Sequence, residues 1–168
     1  MTKILALERV RFVSESVIRK RAEIALTHHR ELLTRLLPEA KSYHIGSTAV
    51  PGSLTKGDLD IQLRVTVRQF TRADAVLASH YQRNTGSAHS PTFSSFKDDR
   101  ADPPPGIQLT VAGGPDDFFF RLRDYLIAHS EVNERYNELK RRFDGALMVD
   151  YRAAKSAFIE KLLENIFN

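Results

Sequence analysis

The 168-residue chain contains no cysteine. That excludes disulfides and thiolate metal sites, and leaves nothing that points to secretion. Long apolar runs are missing too. The opening MTKILALERVRFV breaks each short apolar stretch with charge, so no signal-peptide core is expected. No segment approaches the apolar length that a membrane helix needs, and a cytoplasmic address is the expectation. Repeats, linkers and low-complexity tracts are absent, so residues 1–168 are expected to form a single domain. A strong charge bias is also lacking. Lys and Arg number 25 against 21 Asp and Glu, a net +4 that an anionic ligand and a mixed surface explain equally well. The basic clusters Arg19-Lys20-Arg21 and Lys140-Arg141-Arg142 lie inside helical patterns, without interleaved aromatics, so a nucleic-acid partner is not expected.

What is present suits an ordinary globular core: 42% of residues are hydrophobic and 27% charged. Ile18, Ala22, Ala25, Leu32 and Leu36 recur on one helical stripe, predicting a helix over 15–37 with Ser14 or Ser16 as N-cap and Pro38 just past its end. A short strand is expected around Ser42–Ile45. Residues 58–67 alternate strictly, with Leu59, Ile61, Leu63, Val65 and Val67 toward a core and Asp58, Asp60, Gln62, Arg64 and Thr66 on the opposite, solvent-facing side. A helix follows over 69–80, then strands within 80–97 joined by the turn-rich NTGSAHSP. The prolines of DDRADPPPG mark a loop. GIQLTVAGG alternates again, with Gln108 and Thr110 outward. Pro115 is expected to open a helix to Ala128, Ser130 to cap a second that stops at Asp144-Gly145, and Asp150 to cap a third. The pattern is α+β: a sheet core over about 40–112 with flanking helices, and a helical extension over about 115–168.

One stretch concentrates polar chemistry: YHIGSTAVPGSLTKGDLDIQLRV, residues 43–65. Gly46 allows close approach and Ser47 adds a hydroxyl. Pro51-Gly52 turns the chain back, bringing Asp58 and Asp60 across from Gly46-Ser47. The two carboxylates start about 7 Å apart on one face. Together they can ligate Mg²⁺, which is commonly held by one or two carboxylates plus substrate phosphates, with Lys56 near enough in sequence to meet a phosphate. His44, near Gly46 in sequence, and Gln108 on the later strand are further candidate phosphate contacts, while a polar hairpin with nothing bound, and a structural role for His44, read equally from these residues alone.

HIGSTAVPG followed by KGDLDIQL resembles the signature of the GrpB family, within the nucleotidyltransferase superfamily typified by DNA polymerase beta. FRLRDYL (120–126), ERYNELKRRF (134–143) and YRAAKSAFIE (151–160) are similar to GrpB sequences as well. The resemblance implies a nucleotidyltransferase-like mixed sheet. It implies Asp58 and Asp60 as metal ligands and catalytic carboxylates, Gly46 and Ser47 as the phosphate grip, and a nucleotide or other phosphate-bearing small molecule as partner. Joined to it in some bacteria is dephospho-coenzyme A kinase, which widens the ligand class to coenzyme-like molecules.

The departures bear on activity. Catalytic superfamily members carry a third acid on a later strand, completing a two-metal site. Here that strand presents Gln108 and Thr110, while Asp98, Asp99 and Asp102 lie off its alternation. Many GrpB sequences read GLAAKP where this one has GSLTKG (52–57), and their first aspartate falls at the position of Asp60, which makes Asp60 rather than Asp58 the firmer ligand. On the C-terminal helices Tyr136 and Lys140 share one face, as do Tyr151 and Lys155, with Arg123 on the preceding helix. A ring beside a cation can stack a base and meet a phosphate, or Tyr and Lys stems can cover an interhelical surface. Three readings stand: an Mg²⁺-dependent nucleotidyltransferase, a non-catalytic nucleotide- or coenzyme-binding module, and a structural hairpin.

Overall fold

A computed structural model describes residues 7–168. A two-residue strand β1 (Val13–Ser14) leads directly into α1 (Glu15–Leu36). Ser14 is its N-cap, as expected, but by backbone conformation alone, because its hydroxyl pairs with Ser16 Oγ. β2 (Lys41–Ile45) follows, then a single 3₁₀ turn over Ser47–Ala49 and the short β3 (Leu54–Thr55), which pairs with β1. β4 (Leu59–Val65), α2 (Val67–Ala78), β5 (Gln82–Arg83), β6 (Phe93–Lys97) and β7 (Pro105–Val111) complete the sheet region, and α3 (Phe119–Ala128), α4 (Ser130–Phe143) and α5 (Met148–Phe167) close the chain.

The fold is α+β, built on a mixed five-stranded sheet of order β2-β4-β7-β6-β5. Only β4 and β7 run parallel, joined by the α2 crossover and the β5–β6 hairpin. The alternation in β4 sorts its side chains as read from the sequence. Leu59, Ile61, Leu63 and Val65 join Ile107, Leu109 and Phe96 on one face, packed under Leu33 and Leu37 of α1 and its C-terminal cap and Phe70, Ala73 and Leu77 of α2. Each fully buried side chain of this size is worth about 1.5–3 kcal/mol. A second cluster unites the helical extension with the N-terminal segment: Val10 and Val50 pack with Leu126, Val132, Tyr136, Leu139, Met148, Tyr151 and Leu162. No described helix is long and apolar enough to cross a membrane.

Five expectations need correction, the first being that Ser130 caps α4: it is the first residue of that helix, and His129 is the N-cap. Val67 is not a core strand residue: β4 ends at Val65, Thr66 and Gln69 form a capping box, and Val67 opens α2 exposed to solvent. Pro115 does not start a helix. Residues 115–118 are turns, and α3 begins at Phe119, where the Phe120 amide donates to Gln62 Oε1 at 3.0 Å. Asp150 lies inside the first turn of α5 rather than capping it. Pro105 is not loop but the first residue of β7, a position where a strand tolerates a missing amide donor.

The polar face of β4 is also not a solvent face. Gln62 and Thr110 are fully buried. Gln62 Nε2 donates to Thr110 Oγ1 at 2.9 Å and to Asp117 Oδ1 at 3.0 Å. Arg64 grips Asp117 with two hydrogen bonds of 2.7 and 2.6 Å, and its guanidinium lies 4.5 Å from the Phe120 ring centre. The N-terminal half of α3 therefore roofs the C-terminal half of β4, leaving the end that bears Asp60 beside the later helices.

Candidate functional site

Asp60 occupies the second position of β4, in register with Ile45 of β2 on one side and Gly106 of β7 on the other. Both flanking strands give way to its carboxylate at a glycine. A Cβ on Gly46 would stand 2.5 Å from Asp60 Oδ2, and one on Gly106 would stand 2.6 Å from Oδ1. Gly46 also adopts φ 74°, a left-handed conformation that side chains disfavour. The close approach read for a ligand at Gly46 is thus taken by Asp60 itself. Burial, and after it the charge of Asp58, raise the Asp60 carboxyl to about 6, against the pull of Lys155 and Lys56. Asp58, just ahead of β4, is more open and faces Lys56 at 3.5 Å.

Ser47 begins the turn after Gly46, and its partner comes from the far helical region. Lys140 Nζ of α4 donates to Ser47 Oγ at 3.0 Å and to the Leu54 carbonyl at 2.7 Å. A polar stripe on α4 holds this segment down. Asn133 Oδ1 accepts from Ser53 Oγ at 3.1 Å, and Asn137 accepts from the Leu54 amide at 2.9 Å while donating to the Gly52 carbonyl at 2.8 Å. Lys140 is only 1% exposed. Burial first, then the charges of Lys155 and Lys56, bring its amine down to about 7.

The fold thus gathers Gly46, Ser47, Lys56, Asp58, Asp60, Lys140 and Lys155 from four separate stretches of chain. Tyr136 and Tyr151 come with them, but their rings belong to the second core. Tyr136 stacks on Phe158 at 5.1 Å, and Tyr151 meets Phe12 edge-on at 5.0 Å. Neither ring is free to stack a base. Burial pushes the Tyr136 hydroxyl up to about 12, and raises that of Tyr151 as well.

Other expected site residues lie elsewhere. His44 pairs with Ile61, so its ring projects to the sheet face opposite Asp60. There it shares a 2.9 Å hydrogen bond with Thr48 Oγ1, and burial, with Arg30 and Arg123 nearby, lowers it to about 4. Arg123 is spent on structure, donating to the His44 carbonyl at 2.8 Å and to Asp124. Gln108 does stand on the Asp60 face, one register position along β7 and level with Gln62. The loop aspartates are paired off, Asp98 with Arg100, Asp99 with Lys97 and Asp102 with Arg21. Asp117, which the sequence does not single out, is a further carboxylate on this sheet face, and Arg64 and Gln62 claim it. Gly106 was missed too; its signal was a glycine opposite Asp60 at the head of an otherwise β-rich strand. Asn133 and Asn137 left a trace as asparagines four apart, in line with Lys140.

The family model described as GrpB protein matches residues 19–165. A UPF0157 protein of Vibrio cholerae is 32% identical over 132 residues, spanning 78% of this chain and 70% of that protein. Among solved structures, the conserved protein GrpB from Enterococcus faecalis superposes with a TM-score of 0.70 at 18% identity, over 86% of this chain and 92% of that one. The Cid1 poly(U) polymerase with Mg and 3′-dATP bound superposes with a TM-score of 0.53 at 15% identity, over 76% of this chain and 41% of the polymerase. Both are likenesses of fold, and the fold is nucleotidyltransferase-like. With the family model covering most of its length, the chain belongs to the GrpB family.

Proposed function

We propose that this protein binds the phosphates of a nucleotide or nucleotide-like ligand together with Mg²⁺, with nucleotidyl transfer to an outside acceptor slow or absent. The observation that carries this reading is the Asp60 carboxylate, wedged between two glycines and raised by burial and by Asp58. The charge of Asp58 works against ionisation of Asp60, and a divalent cation relieves that repulsion. Among the described residues no group of three His, Cys, Asp or Glu could hold a metal ion. What is present is two carboxylates, a donor set that fits a cation completed by the ligand's own phosphates, the ordinary arrangement for Mg²⁺. Asp58 and Asp60 would hold it, and its chemistry would be to neutralise phosphate charge. Ser47, Lys56 and Lys155 are the groups on hand to meet the phosphates, with Lys140 supporting Ser47 from behind.

The non-catalytic module is favoured over a working transferase by β7. Its residues at the Asp60 and Gln62 levels are Gly106 and Gln108, neither of which can take a proton at neutral pH. General-base assistance is worth about 10²–10⁴ in rate. Thermal melting with nucleoside triphosphates and coenzyme A precursors, with and without Mg²⁺, tests the reading. A ligand at a hundredfold excess over its Kd stabilises by about 2.7 kcal/mol. The shift should need Mg²⁺ and vanish in Asp60→Asn. Robust pyrophosphate release by wild type, lost in Asp58→Asn and Asp60→Asn, would instead establish an active transferase. No shift with any of these ligands would leave residues 43–65 as a structural hairpin.

A further inference from the structure

Strand β7 offers no acid as base for an outside hydroxyl, but one hydroxyl of the protein has a base of its own. Ser47 Oγ lies 3.0 Å from Lys140 Nζ. The hydrogen-bond partners of that amine, Ser47 Oγ and the Leu54 carbonyl, carry no charge. The groups that face it are the Tyr136 ring of α4, 3.9 Å from Nζ to the ring centre, with Lys155 of α5 and Lys56 of the segment between β3 and β4. Burial and the two cations favour the neutral form of this amine near pH 7, against the Tyr136 ring face, which attracts the ammonium, so that it can accept a proton. With the amine neutral, the 3.0 Å contact reverses, and Ser47 donates to Nζ. Ser47 is half-buried rather than sealed in the core, and it follows Gly46, against which the Asp60 carboxylate packs. A serine hydroxyl held against a neutral lysine is a nucleophile with its base in place.

We propose that Ser47 and Lys140 form a nucleophile–base pair, and that Ser47 accepts the terminal phosphoryl group of the nucleoside triphosphate held at this site. The proposal rests on the nucleotide reading above and names the acceptor that reading lacks. The Ser47 hydroxyl proton passes to the Lys140 amine, and an Oγ–P bond forms at the γ-phosphorus. The bond from that phosphorus to the β–γ bridging oxygen breaks, and the nucleoside diphosphate leaves with the electron pair. The products are phosphoserine at position 47 and a lysine ammonium beside it, an opposed pair of charges.

The test pairs two reagents, ATP with Mg²⁺ and, separately, a fluorophosphonate, which needs neither nucleotide nor metal. Mass spectrometry of peptides should find one phosphoryl group from ATP, or one phosphonyl group from the probe, on Ser47. Ser47→Ala should carry neither. Lys140→Arg keeps a positive charge but cannot take the proton, and should slow labelling by about a hundredfold. Wild-type labelling by the fluorophosphonate should climb through about pH 7 and level off above it. Absence of fluorophosphonate label on Ser47, a Lys140→Arg rate equal to wild type, or a flat pH profile would each overturn the pairing, and ATP binding that leaves no phosphoryl group on Ser47 would overturn the transfer. Should Lys140→Arg fold poorly, the wild-type pH profile decides alone. Calorimetry of ATP binding to Ser47→Ala separates the two readings: no binding there or in wild type, with fluorophosphonate labelling intact, removes the nucleotide and leaves the Ser47–Lys140 pair standing.

Discussion

Gly106 does at the residue scale what its strand position alone would not require. Its backbone is ordinary, without the positive φ of Gly46, so its one special duty is the space it leaves for Asp60 Oδ1. Gly106→Ala should therefore fold with only a small loss of stability, since alanine suits this backbone, while the displaced carboxylate loses Mg²⁺-dependent ligand binding; calorimetry beside a denaturant melt separates the two. Gly46→Ala should fail on both counts, adding about 1–2 kcal/mol of backbone strain. Lys140 offers a prediction of a different kind. Its folded pKa, about 7, lies below the ordinary lysine value of 10.5, so between those pH values the unfolded chain binds more protons. Stability should rise with pH across that window, by no more than about 1.4 kcal/mol per pH unit, and Lys140→Met should flatten the rise. Urea unfolding at a series of pH values measures the difference.

Elements are joined on the site face by the polar network under α3. Asp117 is fixed by Arg64, Gln62 and the Gly113 amide, the last donating at 2.8 Å. Burial alone would raise its carboxyl, but the Arg64 and Gly113 hydrogen bonds outweigh it and hold the group below the usual carboxylate range. The stability this contributes is present above the unfolded pKa near 3.8 and is lost as pH falls through the lower folded value. Asp117→Asn leaves Arg64 under α3 without its counter-charge. It should cost about 3 kcal/mol by denaturant midpoint, the low end for a broken buried pair because Arg64 keeps some solvent, and should abolish the acid-linked part of the profile. The same network marks where sequence reading stopped. Alternation revealed β4 because period two is set by the pleat, and it separated Asp60 from the apolar residues correctly. It could not reveal that Gln62 and Thr110 are covered, since a polar residue beneath a helix reads like one beneath water until its partners are placed. Pro115 looked like a helix start, but the side chain of Gln62, far away in sequence, sets where α3 begins. Tyr136 and Tyr151 shared a helix face with their lysines as spacing required, yet spacing does not say which face a neighbouring core will claim.

For the molecule as a whole, the Asp58–Asp60 acids and the lysines stand on different foundations. The acids belong to the sheet packed under α1 and α2, whereas Lys140 and Lys155 rise from the helices of the second hydrophobic cluster. Whatever draws both charges together acts as a cross-link between two bodies of packed side chains. Without ligand the two bodies are expected to open separately, at free energies below that of global unfolding. With a polyphosphate spanning them, opening either one must first release the ligand, so the two should come apart as a single cooperative unit. Hydrogen exchange should register this as slowed exchange in the core of α4 and α5 as well as around β4, far beyond the residues touched. Protection confined to residues 46–60 would mean that the bound molecule sits on the sheet alone.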